Sequence, residues 1–104
     1  MVNLKDEILK VANGQKIEAI VIGEHAGDED SKCQPYFGRI LKWEDAIRIV
    51  DYKYDNGFGA EDCHAVIAWT EDYVIFISCY DGSTSVQSVP RHPTEHEPIM
   101  YGGG

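Results

Sequence analysis

Cys63 and His64 are the side chains of this sequence whose types are best suited to catalysis or metal binding. A thiol beside an imidazole could act as an activated nucleophile. Together with His25, Cys33 or Cys79, the pair could also supply zinc ligands. Neighbouring residues on a strand point to opposite faces, however, and the closely paired ligands of structural zinc sites are missing here. We therefore expect neither a metal site nor a Cys–His nucleophile.

Two further motifs resemble catalytic ones without matching them. Residues 92–96 (HPTEH) have a glutamate before the second histidine, whereas the zinc-protease helix has it after the first, and Pro93 opposes a helix there. Gly57 and Gly59 lack the third glycine and the lysine of a phosphate-binding loop. No serine is flanked by glycines as in a nucleophile elbow. The sequence therefore predicts a protein that is not an enzyme and that uses no cofactor.

The net charge argues against another class of function. Eighteen acidic and nine basic side chains give a formal charge of −9, and residues 43–104 account for −8 of it. Binding to DNA, RNA or an anionic membrane depends on Lys and Arg side chains, and this sequence has no basic stripe. We expect no direct contact with nucleic acid or membrane. An acidic surface can instead attract a basic protein, or it can simply keep a small domain in solution.

Acidic and aromatic residues are mixed over residues 51–62, which read DYKYDNGFGAED. Tyrosines are enriched at protein interfaces, and carboxylates beside them suit an Arg-rich partner. In this interpretation Tyr54 and Phe58 are the apolar anchors of a partner-binding site. Its charged contacts are Asp51, Asp55, Glu61, Asp62, Glu71 and Asp72. The alternative is that the tyrosines cover the core while the acids are solvated.

Hydrophobic spacing predicts the elements that position these residues. Asn3 is a good N-cap, apolar residues recur at positions 4, 8 and 11, and Asn13 and Gly14 follow, so we predict a helix over residues 4–13. A shorter helical turn is predicted over residues 42–47, and an exposed loop over residues 23–36. The predicted strands cover residues 17–22, 48–54, 64–70, 73–80 and 83–89, with turns at 55–59 and 81–82.

Together these elements predict an α+β fold, in which an antiparallel meander of about four or five strands carries an N-terminal helix packed on it. Residues 73–80 are apolar on both faces, which is typical of a strand in the centre of a sheet or under a helix. We predict one domain over residues 1–90 and an extended or disordered tail over residues 91–104.

The same sequence predicts a cytoplasmic protein. No apolar run approaches the roughly 20 residues of a transmembrane helix, and the first residues lack the pattern of a signal peptide. The three cysteines, Cys33, Cys63 and Cys79, form no paired framework of disulfides, which favours a reducing compartment. Their roles are left open.

The second half of the chain resembles small acidic proteins encoded by phages. The stretches that carry the resemblance are WED at 43–45, DYKYDNGFG at 51–59, YDGST at 80–84 and VPR at 89–91. Many phage proteins of this type inhibit host defence, including anti-CRISPR proteins and DNA mimics. The resemblance implies a stoichiometric inhibitor that binds a basic host protein, such as a CRISPR effector or another nucleic-acid-binding complex. It assigns no individual residue.

Two alternatives remain open at this point. One is a small-ligand module, for example for a nucleotide signal, with a pocket lined by His64, Arg91 and residues 83–85. The other is an immunity protein that neutralises a nuclease toxin, which would use the same acidic interface on a different partner. An exposed aromatic patch is also compatible with a homodimer.

Overall fold

The computed structural model describes residues 1–23, 36–57, 63–80 and 83–100. Over these ranges the chain has an α+β architecture, which confirms the predicted fold class. In chain order the elements are β1 (Val2–Asn3), α1 (Leu4–Ala12), β2 (Ala19–Ile22), α2 (Trp43–Val50), β3 (Lys53–Tyr54), β4 (Val66–Trp69), β5 (Tyr73–Tyr80) and β6 (Ser83–Pro90).

The main sheet has four antiparallel strands in the order β2-β4-β5-β6. The strand predicted to be central, β5, lies between β4 and β6. Beyond β2 the chain pairs once more, since Ile20 and Leu41 exchange backbone hydrogen bonds of 3.1 and 2.8 Å. A separate two-stranded ribbon pairs β1 with β3. The predicted meander therefore accounts for β4 to β6, while β2 joins it through a longer connection.

Helix α1 forms for the reasons that the sequence predicts. The side chain of Asn3 accepts a hydrogen bond of 3.1 Å from the backbone N–H of Asp6, so it caps the first turn. Asn13 ends the helix in the left-handed conformation, with φ of 54°, which asparagine tolerates better than most residues. Leu4 and Ile8 are fully buried on the face that points at the sheet.

Helix α2 corrects two predictions. It covers Trp43–Val50, so it is longer than the turn predicted over residues 42–47, and residues 48–50 are not part of a strand. Of the strand predicted over residues 48–54, only Lys53 and Tyr54 form one. The reason is that Ala46, Ile49 and Val50 lie one helical turn apart and are buried together. The sequence of residues 48–50 also fits the alternation of a strand, but a strand would not bury these three side chains on one face.

The remaining predictions differ from the structure mainly at element ends. The strands predicted over residues 17–22 and 64–70 are shorter, covering Ala19–Ile22 and Val66–Trp69. Residues 92–100 form neither helix nor strand and are exposed. The predicted turn at 81–82, most of the predicted loop at 23–36, and Cys33 lie outside the described residues.

The core lies between the helices and one face of the main sheet. We call this face the inner face, and it includes Ile20, Ile22, Val66, Ala68 and Ile75, which pack with α1 and α2. Helix α1 lies against β5 and β6, while α2 lies against β2. Neither of these helices, nor any other in the described part of the chain, is long and apolar enough to cross a membrane.

Candidate functional site

One end of the main sheet contains the flanks of the connections that carry most of the net negative charge of the chain. Gly23 follows β2, and its N–H donates a 2.8 Å hydrogen bond to the carbonyl of Ala65, just before β4. Gly38 donates a 2.9 Å hydrogen bond to the carbonyl of Ile22. Both flanks of residues 24–35 are therefore fixed beside the start of β4.

The other two connections have flanks at the same end. The carbonyl of Asn56 accepts hydrogen bonds from the N–H of Thr84, at 3.0 Å, and from the hydroxyl of Ser83, at 3.4 Å. The chain before residues 58–62 is thus fixed to the start of β6. Residues 81–82 join β5 to β6, whose Tyr80 and Ser83 are paired. We call this end, formed by residues 22–23, 56–57, 63–65, 80 and 83–84, the acidic end.

The name follows from the sequence of the three connections. Residues 24–35, 58–62 and 81–82 contain one base, Lys32, and a larger set of acids: Glu24, Asp28, Glu29, Asp30, Glu61, Asp62 and Asp81. These segments contribute −6 of the formal charge of −9. Because their flanks meet at one end of the sheet, most of the negative charge of the chain is tethered there.

The structure does not bring the eight predicted contact residues together. Phe58, Glu61 and Asp62 lie outside the described residues, but Gly57 and Cys63 on either side of them belong to the acidic end. The other predicted Glu–Asp pair, at positions 71 and 72, precedes the first residue of β5 and so lies at the opposite end of the sheet. Seven steps along β5 separate the two ends by about 24 Å.

Two of the predicted acids form hydrogen bonds that stabilise the fold. Asp51 accepts a 2.9 Å hydrogen bond from the side-chain amide of Asn3 and lies 3.5 Å from the ammonium of Lys5. The hydrogen bond from Asn3, followed by the charge of Lys5, lowers the pKa of Asp51 below its ordinary value. Asp55 accepts a 2.9 Å hydrogen bond from the N–H of Gly57, which forms the turn that enters residues 58–62. Both remain exposed.

The acids at the opposite end are exposed, and one of them also has a structural contact. Asp72 accepts a 2.7 Å hydrogen bond from the side chain of Gln15, which follows α1. The backbone N–H of Asp72 donates back to the same side chain at 3.3 Å. Glu71 is exposed beside it. This pair of contacts ties the end of α1 to the turn between β4 and β5.

Tyr54 is a core residue. It is 1% exposed and packs in the cluster that contains Leu4 and Ile8, so it offers no area to a partner. This corrects the expectation that Tyr54 is an apolar anchor of the interface. Burial, followed by the nearby charges of Cys63 and Glu7, raises the pKa of the Tyr54 phenol to about 12. The tyrosine therefore stays neutral at physiological pH.

A hydrogen-bonded pair that the sequence does not reveal fixes the chain at the acidic end. The hydroxyl of Tyr52 accepts a 2.8 Å hydrogen bond from the backbone N–H of His64. The same oxygen lies 2.6 Å from His64 Nδ1 and shares a hydrogen bond with it. Phe37 packs against the other side of the ring, with centroids 5.7 Å apart. His64 is 8% exposed and acts as an anchor for the chain after residue 62.

A cavity of about 310 Å³ opens at the acidic end and is lined by Cys63, Ala65, Ile77, Cys79 and Thr84. Thr84 is 3% exposed, and among the described residues no atom is placed to hydrogen-bond its hydroxyl. Among the described residues, Cys63 and Cys79 form no disulfide bond. Across the described ranges no group of three or more His, Cys, Asp and Glu side chains is placed to hold a metal ion.

Arg91, expected in a ligand pocket, lies far from this cavity. Its Nη1 atom bonds to Glu18 at 2.6 Å and to the carbonyl of Thr70 at 2.9 Å. Its backbone N–H donates to the carbonyl of Asp72 at 2.8 Å. Arg91 is therefore at the opposite end of the sheet from His64 and residues 83–85. This corrects the expectation that these residues line one pocket.

Comparisons of the chain with protein-family models, with curated proteins and with solved structures find no match. The candidate site therefore rests on the chemistry and geometry of this chain alone.

Proposed function

We propose that this protein is a non-catalytic, stoichiometric inhibitor that binds the basic, nucleic-acid-binding surface of a host defence complex in the cytoplasm. The acidic end of the sheet is the binding surface. The carboxylates of the three segments whose flanks meet there, residues 24–35, 58–62 and 81–82, take the place of nucleic-acid phosphates and pair with Arg and Lys side chains of the partner. A CRISPR effector is the kind of partner that the resemblance to phage proteins implies.

The observation that supports this proposal most strongly is that the residues flanking three acidic segments meet at one end of the sheet. The flanks of residues 24–35, 58–62 and 81–82 are hydrogen-bonded to one another or paired there. The three segments hold a net charge of −6, whereas the rest of the chain holds −3. Such an uneven distribution of charge orients a basic partner and speeds its approach.

The geometry also selects among the acids. Glu61 and Asp62 directly precede Cys63 at the acidic end, and we assign them to the contact surface. Glu71 and Asp72, about 24 Å away along β5, are excluded from it. Asp55 remains in the surface because its turn leads into residues 58–62, while Tyr54 is excluded by its burial.

Two identical Glu–Asp dipeptides provide a matched experiment, because one directly precedes Cys63 of the acidic end in sequence and the other precedes β5 at the opposite end of the sheet. One variant carries Glu61→Gln and Asp62→Asn, and the control carries Glu71→Gln and Asp72→Asn. Both remove two negative charges while conserving side-chain volume. Tagged proteins are used for affinity capture from host lysate at low and high salt, and the captured proteins are identified by mass spectrometry. Thermal melting shows that each variant is folded.

We expect the wild-type chain and the control to retain the same nucleic-acid-binding protein at low salt and to lose it at high salt, because salt screens charge pairs. The variant at positions 61 and 62 should fail to retain this protein at either salt concentration. Equal retention by both variants would refute the assignment to the acidic end. Capture of a nuclease toxin instead of a defence complex would identify the protein as an immunity protein that uses the same surface.

A second candidate function is binding of a small ligand. The cavity lined by Cys63, Cys79 and Thr84 favours it, because the buried Thr84 hydroxyl has no hydrogen-bond partner among the described residues, and such a group is costly unless a ligand or water bonds to it. A pocket of this size suits a small molecule. Native mass spectrometry of the freshly purified chain tests this function. A small-molecule adduct lost on Thr84→Val would support it, and the absence of any adduct would count against it.

A further inference from the structure

The face of the main sheet that points away from the helices is unusually apolar. We call the part of it that comprises the following ten side chains the outer face: Ala19 and Val21 of β2, Ile67 and Trp69 of β4, Val74, Phe76 and Ser78 of β5, and Ser85, Gln87 and Val89 of β6. None of these belongs to the core cluster, and each is at least partly exposed. Seven of the ten are apolar, whereas the solvent face of an antiparallel sheet is typically polar.

The apolar side chains form rows that run across all four strands. The register aligns Ala19, Trp69, Val74 and Val89 in one row. The next row contains Val21, Ile67, Phe76 and Gln87, and Ile67 at its centre is 45% exposed. Aligned rows of this kind make a continuous patch, which on a monomeric protein marks an interaction surface.

We propose that the outer face is a homodimer interface, on which a second copy of this chain packs its own outer face. The charge of the outer face permits a second copy to bind there. Two copies that each carry −9 repel, but none of the ten outer-face side chains is ionisable. At the rim beside Ala19 and Trp69, the charges of Arg91 and Glu18 are paired at 2.6 Å. The described side chains of this face therefore bring no like charges into contact when two copies meet.

The geometry of the sheet fits this arrangement. Two sheets pack face to face about 10 Å apart with their strands within about 30° of each other. A twofold axis that lies in the plane between the two outer faces permits this arrangement. The edge of β2 is occupied, since Leu41 and Gly38 bond to its backbone, so this edge is closed to strand addition. Residues 91–100 are exposed throughout.

The area of the outer face sets the expected strength of the dimer. Four strands about 4.8 Å apart and three rows of side chains about 7 Å apart cover about 400 Å² per copy. A standard stable interface buries about 800 Å² per partner, so this face supports a weak dimer in the micromolar range. The interface differs from the acidic end, and the inference does not depend on the proposed function.

Analytical ultracentrifugation of the full chain tests the dimer. The wild type is compared with Ile67→Lys and with a control, Leu9→Lys, which changes an exposed leucine of α1 (39% exposed) on the other side of the molecule. Both variants reduce the negative charge by the same amount. Repulsion alone would therefore strengthen association in both, whereas the proposed interface is disrupted only by the first.

We expect the average mass of the wild type to rise from that of one chain, 11.7 kDa, towards twice that value between about 1 and about 300 μM. Leu9→Lys should behave as the wild type, and Ile67→Lys should weaken the dimer at least about tenfold. A wild type that stays monomeric throughout, or a dimer unaffected by Ile67→Lys, would overturn the proposal. If Ile67→Lys does not fold, changes in the NMR chemical shifts of the wild type on dilution provide the test. Shifts confined to the outer face support the interface, and shifts elsewhere or none contradict it.

Discussion

The pair formed by Tyr52 and His64 carries a prediction that can be worked out from the structure. Replacing Tyr52 with Phe removes one hydroxyl that serves two groups of the same histidine, its backbone N–H at 2.8 Å and Nδ1 at 2.6 Å. His64 is 8% exposed, so water reaches these groups poorly once the hydroxyl is gone. The substitution leaves the aromatic ring and its packing in place.

The expected loss follows from the cost of leaving buried polar groups without a partner. Each such group costs about 1 to 3 kcal/mol, and both lie in a partly buried site, so Tyr52→Phe should lower the free energy of unfolding by about 2 to 4 kcal/mol. For a chain of this size the melting temperature should fall by about 10 to 20 °C. The first residues to loosen should be those around Cys63, which join residues 58–62 to β4.

Urea unfolding followed by tryptophan fluorescence measures this loss, with an unchanged dependence on urea concentration as the sign that the folded state is otherwise intact. Tyr36→Phe is the control, because Tyr36 is 40% exposed and its hydroxyl can bond to water. It should change the free energy of unfolding by less than about 0.5 kcal/mol. A loss below about 1 kcal/mol for Tyr52→Phe would show that the two hydrogen bonds do not hold this part of the chain.

Three further predictions concern the cap, a buried phenol and the core. Asn3→Ala removes the N-cap of α1 and the bond to Asp51, so stability should fall by about 1 kcal/mol. In an NMR titration the pKa of Asp51 should rise towards its ordinary value, and an unchanged pKa would contradict the assigned cause. The Tyr54 phenol ionises near pH 10 when unfolded and near 12 when folded, so its stabilising effect is complete below pH 10. The free energy of unfolding should fall by up to about 2 to 3 kcal/mol as the pH rises to about 12, and Tyr54→Phe should make this fall shallower. Identical pH profiles of stability for the wild type and the variant would refute this role of Tyr54. Ile75 is fully buried in the centre of the inner face, so Ile75→Ala should cost about 3 to 5 kcal/mol in urea unfolding, and a cost under about 1 kcal/mol would contradict the packing.

Local patterns in the sequence are sufficient to predict the elements that depend on neighbouring residues. Helix α1 has a cap, an apolar stripe and a left-handed stop within twelve residues, and β5 has a long run of β-branched and aromatic residues. Local patterns do not determine the structure of residues 48–50. Their sequence is compatible with both a strand and a helix, and the helix forms because Ala46, Ile49 and Val50 are buried together.

The candidate site was harder to predict than the helices and strands, because it depends on contacts between distant parts of the chain. That β2 lies beside β4 cannot be read from local spacing, yet this pairing brings the flanks of residues 24–35 next to those of residues 58–62. For the same reason the sequence grouped Glu71 and Asp72 with Glu61 and Asp62, although Cys63, which follows the second pair, belongs to the opposite end of the sheet. The burial of Tyr54 has no local signal either, because an aromatic residue beside acids is equally typical of an interface and of a core edge.

The most direct test of the acidic end as the binding surface is the affinity of the captured partner, once purified, measured at a series of salt concentrations and in competition with DNA. We predict that the dissociation constant of the wild type rises at least about tenfold from about 50 to about 500 mM salt, and that DNA and this protein exclude each other from the partner. The variant at Glu61 and Asp62 should show weaker binding with a smaller dependence on salt, while the variant at Glu71 and Asp72 should match the wild type. An affinity independent of salt, or simultaneous binding of DNA and this protein, would contradict the account.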